Sequence, residues 1–336
     1  MTLRPFLATA LLSLALLACS RNNDDGNPNN PTPIDSSGYY TVADTLTAGW
    51  SRINNGFSGN LYDVYFSDSL RGYACGDAGI FYSANSGRSW SFVDIPFTSR
   101  GTFINIGAWG GTAVVADVTR ELTRTVSGGT ATRTPLNTAN GAPAFRDVCF
   151  TSATNSYAVS QQYFWRSADG GVTYDTVYNF GSIVGENQTL HFVDANRGWL
   201  ARIDGLYRTT NGGAAWTRVS DMGGNPGGIH FLPDGQTGFF SMGTFVFRTS
   251  DGGSTRTLLP LPGVSADQGT ISDLHFFDAQ NGYVLVYNKI FRTADGGASW
   301  TLVARTAQPL VELHFTDPGH GWACGVYSTL LRFQLP

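Results

Sequence analysis

One phrase recurs along this chain at a nearly fixed interval, and it limits the fold more than any other feature. It reads Ser83-Ala-Asn85-Ser-Gly87-Arg-Ser-Trp90, then Ser167-Ala-Asp169-Gly-Gly171-Val-Thr-Tyr174, Thr209-Thr-Asn211-Gly-Gly213-Ala-Ala-Trp216, Thr249-Ser-Asp251-Gly-Gly253-Ser-Thr-Arg256 and Thr293-Ala-Asp295-Gly-Gly297-Ala-Ser-Trp300. A worn copy is Thr125-Val-Ser127-Gly-Gly129-Thr-Ala-Thr132. Measured at the later glycine, the spacings are 42, 42, 42, 40 and 44 residues. The chemistry is that of a tight hairpin. An Asp or Asn carboxyl or amide oxygen accepts nearby backbone N–H groups, glycine supplies positive φ, and the closing aromatic packs the turn on the sheet.

The residues between the turns repeat as well. Upstream lie Asp63-Val-Tyr-Phe66, Asp147-Val-Cys-Phe150, Asp273-Leu-His-Phe276 and Glu312-Leu-His-Phe315, followed by Gly-aromatic strands at Gly72-Tyr73, Gly198-Trp199, Gly238-Phe239, Gly282-Tyr283 and Gly321-Trp322. A third strand runs into the turn and a fourth leaves it. Four short strands in about 42 residues make a propeller blade. Six turns lie between residues 83 and 300, and a seventh unit from Leu310 supplies three strands before the chain ends. The missing strand is matched by Gly49-Trp50-Ser51-Arg52-Ile53, which resembles Ala215-Trp216-Thr217-Arg218-Val219. The expectation is an all-β, seven-bladed β-propeller with the N-terminal strand closing the last blade, which leaves no open edge. Blade 2, about 102–136, is the least regular: it is either loose or altered for contact with a partner.

The first residues set the compartment. Arg4 precedes an apolar run from Phe6 to Ala18, too short to span a bilayer, which ends Leu16-Leu17-Ala18-Cys19. That ending resembles the lipobox of bacterial lipoproteins, which implies cleavage before Cys19 and acylation of it. Residues 20–38 are rich in Asn, Asp, Pro and Ser and read as a tether. The expected domains are a signal peptide at 1–18, the lipidated Cys and tether at 19–44 and the propeller at 45–336. The expected location is the outer membrane or cell surface. Removing Arg4 takes the formal net charge from −4 to −5, and Lys289 is the only lysine, so no nucleic-acid partner is suggested.

The repeated turn resembles the Asp-box, or BNR repeat, of sialidases, sortilin-type receptors and photosystem II assembly factors. Over residues 49–334 the pattern Asp-Val-x-Phe, Gly-aromatic-Ala and Arg-Thr-x-Asp-Gly-Gly-x-x-Trp is most similar to the photosystem II stability and assembly factors. In that family an arginine-rich face contacts a nascent membrane protein. The resemblance carries this over to one ladder only: Arg124, Arg166, Arg208, Arg248, Arg292 and Arg332, each just before the turn's Ser or Thr, or its counterpart in blade 7. This ladder is the candidate binding set. The competing reading is that each arginine braces its own blade.

Two further ladders lie on the first strand of each unit. His191, His230, His275 and His314 share one site, with Tyr65 and Cys149 at the same site in blades 1 and 3. Asp63, Asp147, Asp273 and Glu312 sit two residues earlier, on the same side of the strand. Sheets pack about 10 Å apart, too far for imidazoles of adjacent blades to share one ion unless the spacing shrinks near the axis. No metal or cofactor is expected. The acids are expected to line the axial channel or to pair with the imidazoles.

An enzyme finds little support. Only Glu121, Glu186 and Glu312 are available as glutamates, no sialidase-type Arg-Ile-Pro segment occurs near the start, and no Ser-His-Asp, P-loop or HExxH pattern is present. The reading that follows is a non-catalytic binding or assembly scaffold for a protein or envelope polysaccharide, held to a membrane by lipid. The alternative is a carbohydrate-active hydrolase of sialidase or other Asp-box type. Cys75, Cys149 and Cys324 are expected to be unpaired buried thiols, because equivalent positions in adjacent blades point the same way round the ring.

Overall fold

Short apolar runs bounded by Gly, Asp and Asn pair with their neighbours in sequence, because a two-residue to five-residue turn costs little chain entropy. In the computed structural model, residues 44–96, 102–137, 144–181, 188–221, 223–261 and 269–335 are described. The expected signal, Cys19 and most of the tether lie outside them. The described residues form seven sheets, antiparallel but for one short parallel strand, and no helix. Blade 6 is representative: Ile271–Phe276, Gly282–Val286, Lys289–Thr293 and Thr301–Arg305 run from the axis outward. The innermost strands of blades 1 to 7 are Leu61–Phe66, Phe103–Trp109, Phe145–Phe150, Gln188–Phe192, Pro226–Phe231, Ile271–Phe276 and Leu310–Asp317. Each contacts the next, and the last contacts the first, so the ring is closed.

Closure occurs as the repeat predicts. Trp50–Arg52 is the fourth strand of blade 7, with Trp50 opposite Phe333, Ser51 opposite Arg332 and Arg52 opposite Leu331. Trp50 is buried against Phe333 and Phe315, with ring centroids 5.2 and 6.1 Å away. Two pairings were not legible beforehand. Thr45–Leu46 adds a fifth strand to blade 6, and Leu136–Asn137 adds a parallel fifth strand to blade 3. Both are two residues long and carry no alternation to read.

The recurrent Phe and the recurrent Gly-aromatic pair have one explanation. The Phe66 ring lies across Gly72, and a Cβ there would run into it. The aromatic after the glycine, or after Ser156 in blade 3, then stacks on the Phe of the following blade. Trp322 on Phe66 (3.5 Å), Tyr157 on Phe192 (4.1 Å), Trp199 on Phe231 (3.9 Å), Phe239 on Phe276 (3.4 Å) and Tyr283 on Phe315 (4.5 Å) repeat this contact at five seams. Each stack adds about 0.5–1.5 kcal/mol beyond the area it buries. Cys75 sits in the cluster between blades 1 and 2, and Cys324 in the cluster between blades 7 and 1. All three cysteines of the propeller are free.

Candidate binding face and axial channel

The repeated turns joining third and fourth strands emerge on the same face as the loops joining first and second strands, because the strands alternate in direction. In blade 6, Asp295 Oδ1 accepts from the Ser299 N–H (2.8 Å) and from the Thr293 hydroxyl (2.8 Å), and the Gly297 N–H donates to Thr293 Oγ1 (2.8 Å). The glycines have φ of +74° and +91°, which an L side chain rarely adopts. The same set recurs around Asn85, Asp169, Asn211 and Asp251. Bonds from the Ser299 side chain and backbone hold the exposed Asp295 carboxyl down at about 2, and bonds from Thr255 do the same for Asp251. These acids are occupied in building the turn.

The arginine ladder lies on this face, one residue before each turn, and its members are spread round the ring. Arg124 Nε donates to the carbonyl of Gly170 in the next blade's turn (2.9 Å), and Arg166 reaches Asn155 Oδ1 (3.2 Å). Arg208 lies over the Trp199 ring at 5.6 Å and Arg248 over Phe239 at 5.7 Å. These contacts are braces within and between blades. Arg292 differs: it is exposed, and it precedes blade 7, which has no repeated turn. Arg332 is partly buried, and burial and the neighbouring Arg88 cation both lower its proton affinity. A groove of about 580 Å³ opens between the turns of blades 5 and 6, lined by Arg248, Thr255, Thr257, Leu259 and Asp295 among others.

The second and third ladders face the axial channel. Here the three aspartates of the ladder clasp the inner strand of the next blade. Asp63 Oδ2 accepts from the Ile106 N–H (2.5 Å), Asp147 Oδ2 from Leu190 (2.7 Å) and Asp273 Oδ2 from Leu313 (3.2 Å). Asn105 holds the same site in blade 2 and accepts from Val148 (2.8 Å). At the equivalent site in blade 5 stands Gly228, where a Cβ would collide with the Leu274 N–H. His191 and His314 clasp in the same sense through Nε2, to the carbonyls of Phe231 (3.0 Å) and Phe66 (2.7 Å). The three aspartates bond backbone of the next blade, and Asp147 also Thr189, rather than imidazole.

The structure fixes the spacing between these histidines. Near the axis adjacent rings are 4.7 Å (His191–His230) and 4.5 Å (His230–His275) apart, far inside the sheet-packing distance. Among the described residues, no three His, Cys, Asp or Glu side chains form a group that could hold a metal ion. Burial disfavours the charged form of acids and imidazoles alike along these inner strands. It lowers His191 and His314 to about 4 and His275 to about 3, with His230 also well below its ordinary value. It raises Asp147 to about 6 and Asp273 to about 7, and pushes Asp63 and Glu312 well up.

No family model matches this sequence, and no curated protein sequence matches it. Solved structures do. A YCF48 bound to a D1 peptide superposes with a TM-score of 0.71 at 17% identity, over 87% of this chain and 100% of that one. The chain shares the fold of the YCF48 propellers. YCF48 from Cyanidioschyzon merolae gives 0.67 at 18% identity, over 85% and 99% of the two chains. A virginiamycin B lyase from Staphylococcus aureus gives 0.65 at 12%, over 85% and 99%. At such identities the likeness establishes the fold, which binding proteins and a lyase share alike.

Proposed function

We propose that this protein is an Asp-box propeller lipoprotein of the cell envelope, anchored through Cys19, that binds a protein segment on its turn-bearing face. The observation that carries this is the groove between the turns of blades 5 and 6, where Arg248 stands beside hydroxyls and the apolar Leu259. A guanidinium among hydroxyls and an apolar side chain suits an extended peptide that offers a carboxylate. The fold neighbour that holds a D1 peptide supports the mode and not the partner. The exposed Arg292 extends the same face.

The hydrolase alternative has less to work with. Asp63 and Asp273 each commit a carboxyl oxygen to a backbone N–H of the next blade, at Ile106 and Leu313. Glu121 is engaged with Arg133 at 3.0 Å. The test is capture from envelope extracts with full-length protein and with Arg248→Ala and Arg292→Ala. A protein captured by wild type and depleted at least fivefold in either variant supports the reading. Equal capture by all three, or turnover of a glycoside abolished by one Asp substitution, overturns it. Detergent partitioning of wild type and Cys19→Ser tests the anchor separately: wild type in the aqueous phase means no lipid.

A further inference from the structure

The hairpins joining second and third strands emerge on the face opposite the repeated turns. Five of these seven tips carry a large apolar or aromatic side chain: Val118 in blade 2, Ile203 in blade 4, Phe245 in blade 5, Tyr287 in blade 6 and Tyr327 in blade 7, each 37% to 55% exposed. Blades 1 and 3 have Asp77-Ala78 and Gln161-Gln162 there instead. Single exposed apolar side chains are ordinary on any surface, but recurrence at one structural position in five blades is not scatter. The two tyrosines also stand at φ of +54° and +51°, a left-handed conformation that Gly or Asn adopts cheaply and a bulky residue does not. The acids beside the tips are engaged within their own loops. Asp77 accepts the Asn60 N–H (2.9 Å), Asp117 the Thr119 N–H (2.8 Å) and Asp204 the Tyr207 hydroxyl (2.8 Å).

The chain enters the ring on this same face, between the two tyrosine tips. Asp44 Oδ1 accepts from the Ala307 N–H (2.9 Å), and the neighbouring Thr306 N–H donates to the carbonyl of Asn288, beside Tyr287 (2.9 Å). Asp44 also holds Arg52, whose Nη1 donates to Thr329 Oγ1 (3.4 Å), two residues from Tyr327. From Cys19 to Asp44 is 25 residues, and a coil of that length has a root-mean-square span of ~28 Å. An anchor at Cys19 therefore holds this face nearest the bilayer, and the turn-bearing face farther from it.

We propose that the propeller rests on the bilayer through this face, with the tips of blades 2, 4, 5, 6 and 7 seated at the level of the lipid headgroups. This deepens the reading of a lipid-anchored protein and rests on the anchor at Cys19. Equivalent hairpins of a closed ring share one plane and stand apart from one another. No single small ligand or extended segment meets them all, whereas a flat boundary does. Tyr suits that boundary, since its ring takes the apolar side and its hydroxyl the water. Arg120, exposed beside Val118, adds a cation for a headgroup phosphate. The repeated turns and the Arg248 groove then face away from the lipid, where a partner reaches them.

The experiment uses the full-length protein on phosphatidylcholine vesicles, with a fluorophore on one introduced thiol at a time. Cys149→Ser is the background, since Cys75 and Cys324 are fully buried. Phe245→Cys and Tyr327→Cys report on the tips, and Val172→Cys reports on the turn-bearing face. Lipids carrying a nitroxide near the headgroup should quench the label at 245 and 327 at least about threefold more than at 172, because interfacial side chains sit roughly 5–10 Å into that boundary. The difference should persist in ~1 M salt, where charges are screened beyond about 3 Å. Equal quenching at the three sites, or stronger quenching at 172, overturns the proposal. So does energy transfer between labels at 245 on two copies without quenching by lipid, since a second copy then covers the face. Protein that does not co-sediment with the vesicles overturns the anchor and this face together; co-sedimentation with unquenched tips overturns the face and leaves the anchor standing. If Tyr327→Cys does not fold, Phe245→Cys, at an ordinary φ, decides.

Discussion

Blades 2 and 7 are the two irregular members of the ring, and they are irregular in opposite ways. Blade 7 is discontinuous, built from residues 310–334 and 50–52, and has no repeated turn, yet its chemistry is regular. Phe315 receives Tyr283 at 4.5 Å, and Trp322 stacks on Phe66 and donates from Nε1 to the Ser86 carbonyl at 3.2 Å. Blade 2 is continuous but has lost its seam chemistry. Ala108 stands where the other blades carry Phe, and Val114 where the others carry an aromatic. Its seams keep apolar clusters without the ring stacks and add polar contacts. Tyr73 donates to the Gly111 carbonyl (2.6 Å) and accepts from the Gly128 N–H (3.2 Å), while Thr134 donates to the Gly171 carbonyl (3.0 Å). The inner strand also comes so close that a Cβ at Gly107 would strike Val148. A break in the chain is therefore tolerated where the rings still stack, and loss of the rings is tolerated where the chain is unbroken.

This contrast can be broken by experiment. Deleting residues 45–55 removes the outer strand of blade 7 and the buried Trp50, and should abolish the cooperative melt by circular dichroism; an unchanged melt means that the closure is not needed. Trp322→Ala should cost about 3–5 kcal/mol in denaturant unfolding, because it loses a fully buried indole and a stack at once. Tyr73→Phe should cost about 1–2 kcal/mol, since it deletes one hydroxyl that serves two bonds at the seam of blades 1 and 2. If it costs as much as Trp322→Ala, polar seams are as strong as stacked ones. Trp109→Ala, at a position 46% exposed on the short turn of blade 2, should stay within about 0.5 kcal/mol of wild type. If the same variant loses a captured partner, blade 2 has been altered for contact and is not merely worn.

Blade number and closure were legible because the signal for a hairpin is local: Asp295, Gly296 and Gly297 build their turn from groups within a few residues of one another. Trp50 could be matched to Trp216 because both begin a fourth strand. What lay hidden depended on geometry across seams. The double substitution at Ala108 and Val114 stood in plain view, but its meaning needed the knowledge that these two sites touch neighbouring blades. The histidine spacing stayed open in the sequence, because the value for flat stacked sheets shrinks by an unknown amount where strands converge on an axis. The arginine ladder was correctly placed on one face, yet the sequence did not separate Arg292, left uncovered by the turnless blade, from Arg124, tied to Gly170.

The course of the chain into the ring also has a mechanical side. Asp44 bonds to the Ala307 N–H and to Arg52, at the rim opposite the repeated turns. From there the backbone climbs the outside of blade 6 through two residues, reverses at Gly49 and descends as the last strand of blade 7. A load applied through Asp44 therefore meets Thr45 and Leu46 first, and peels them from Arg305 and Ala304 one hydrogen bond at a time before it reaches Trp50. Under the anchoring proposed above, this two-residue strand is what a pull on the chain would meet before the ring itself, on the side away from the arginines.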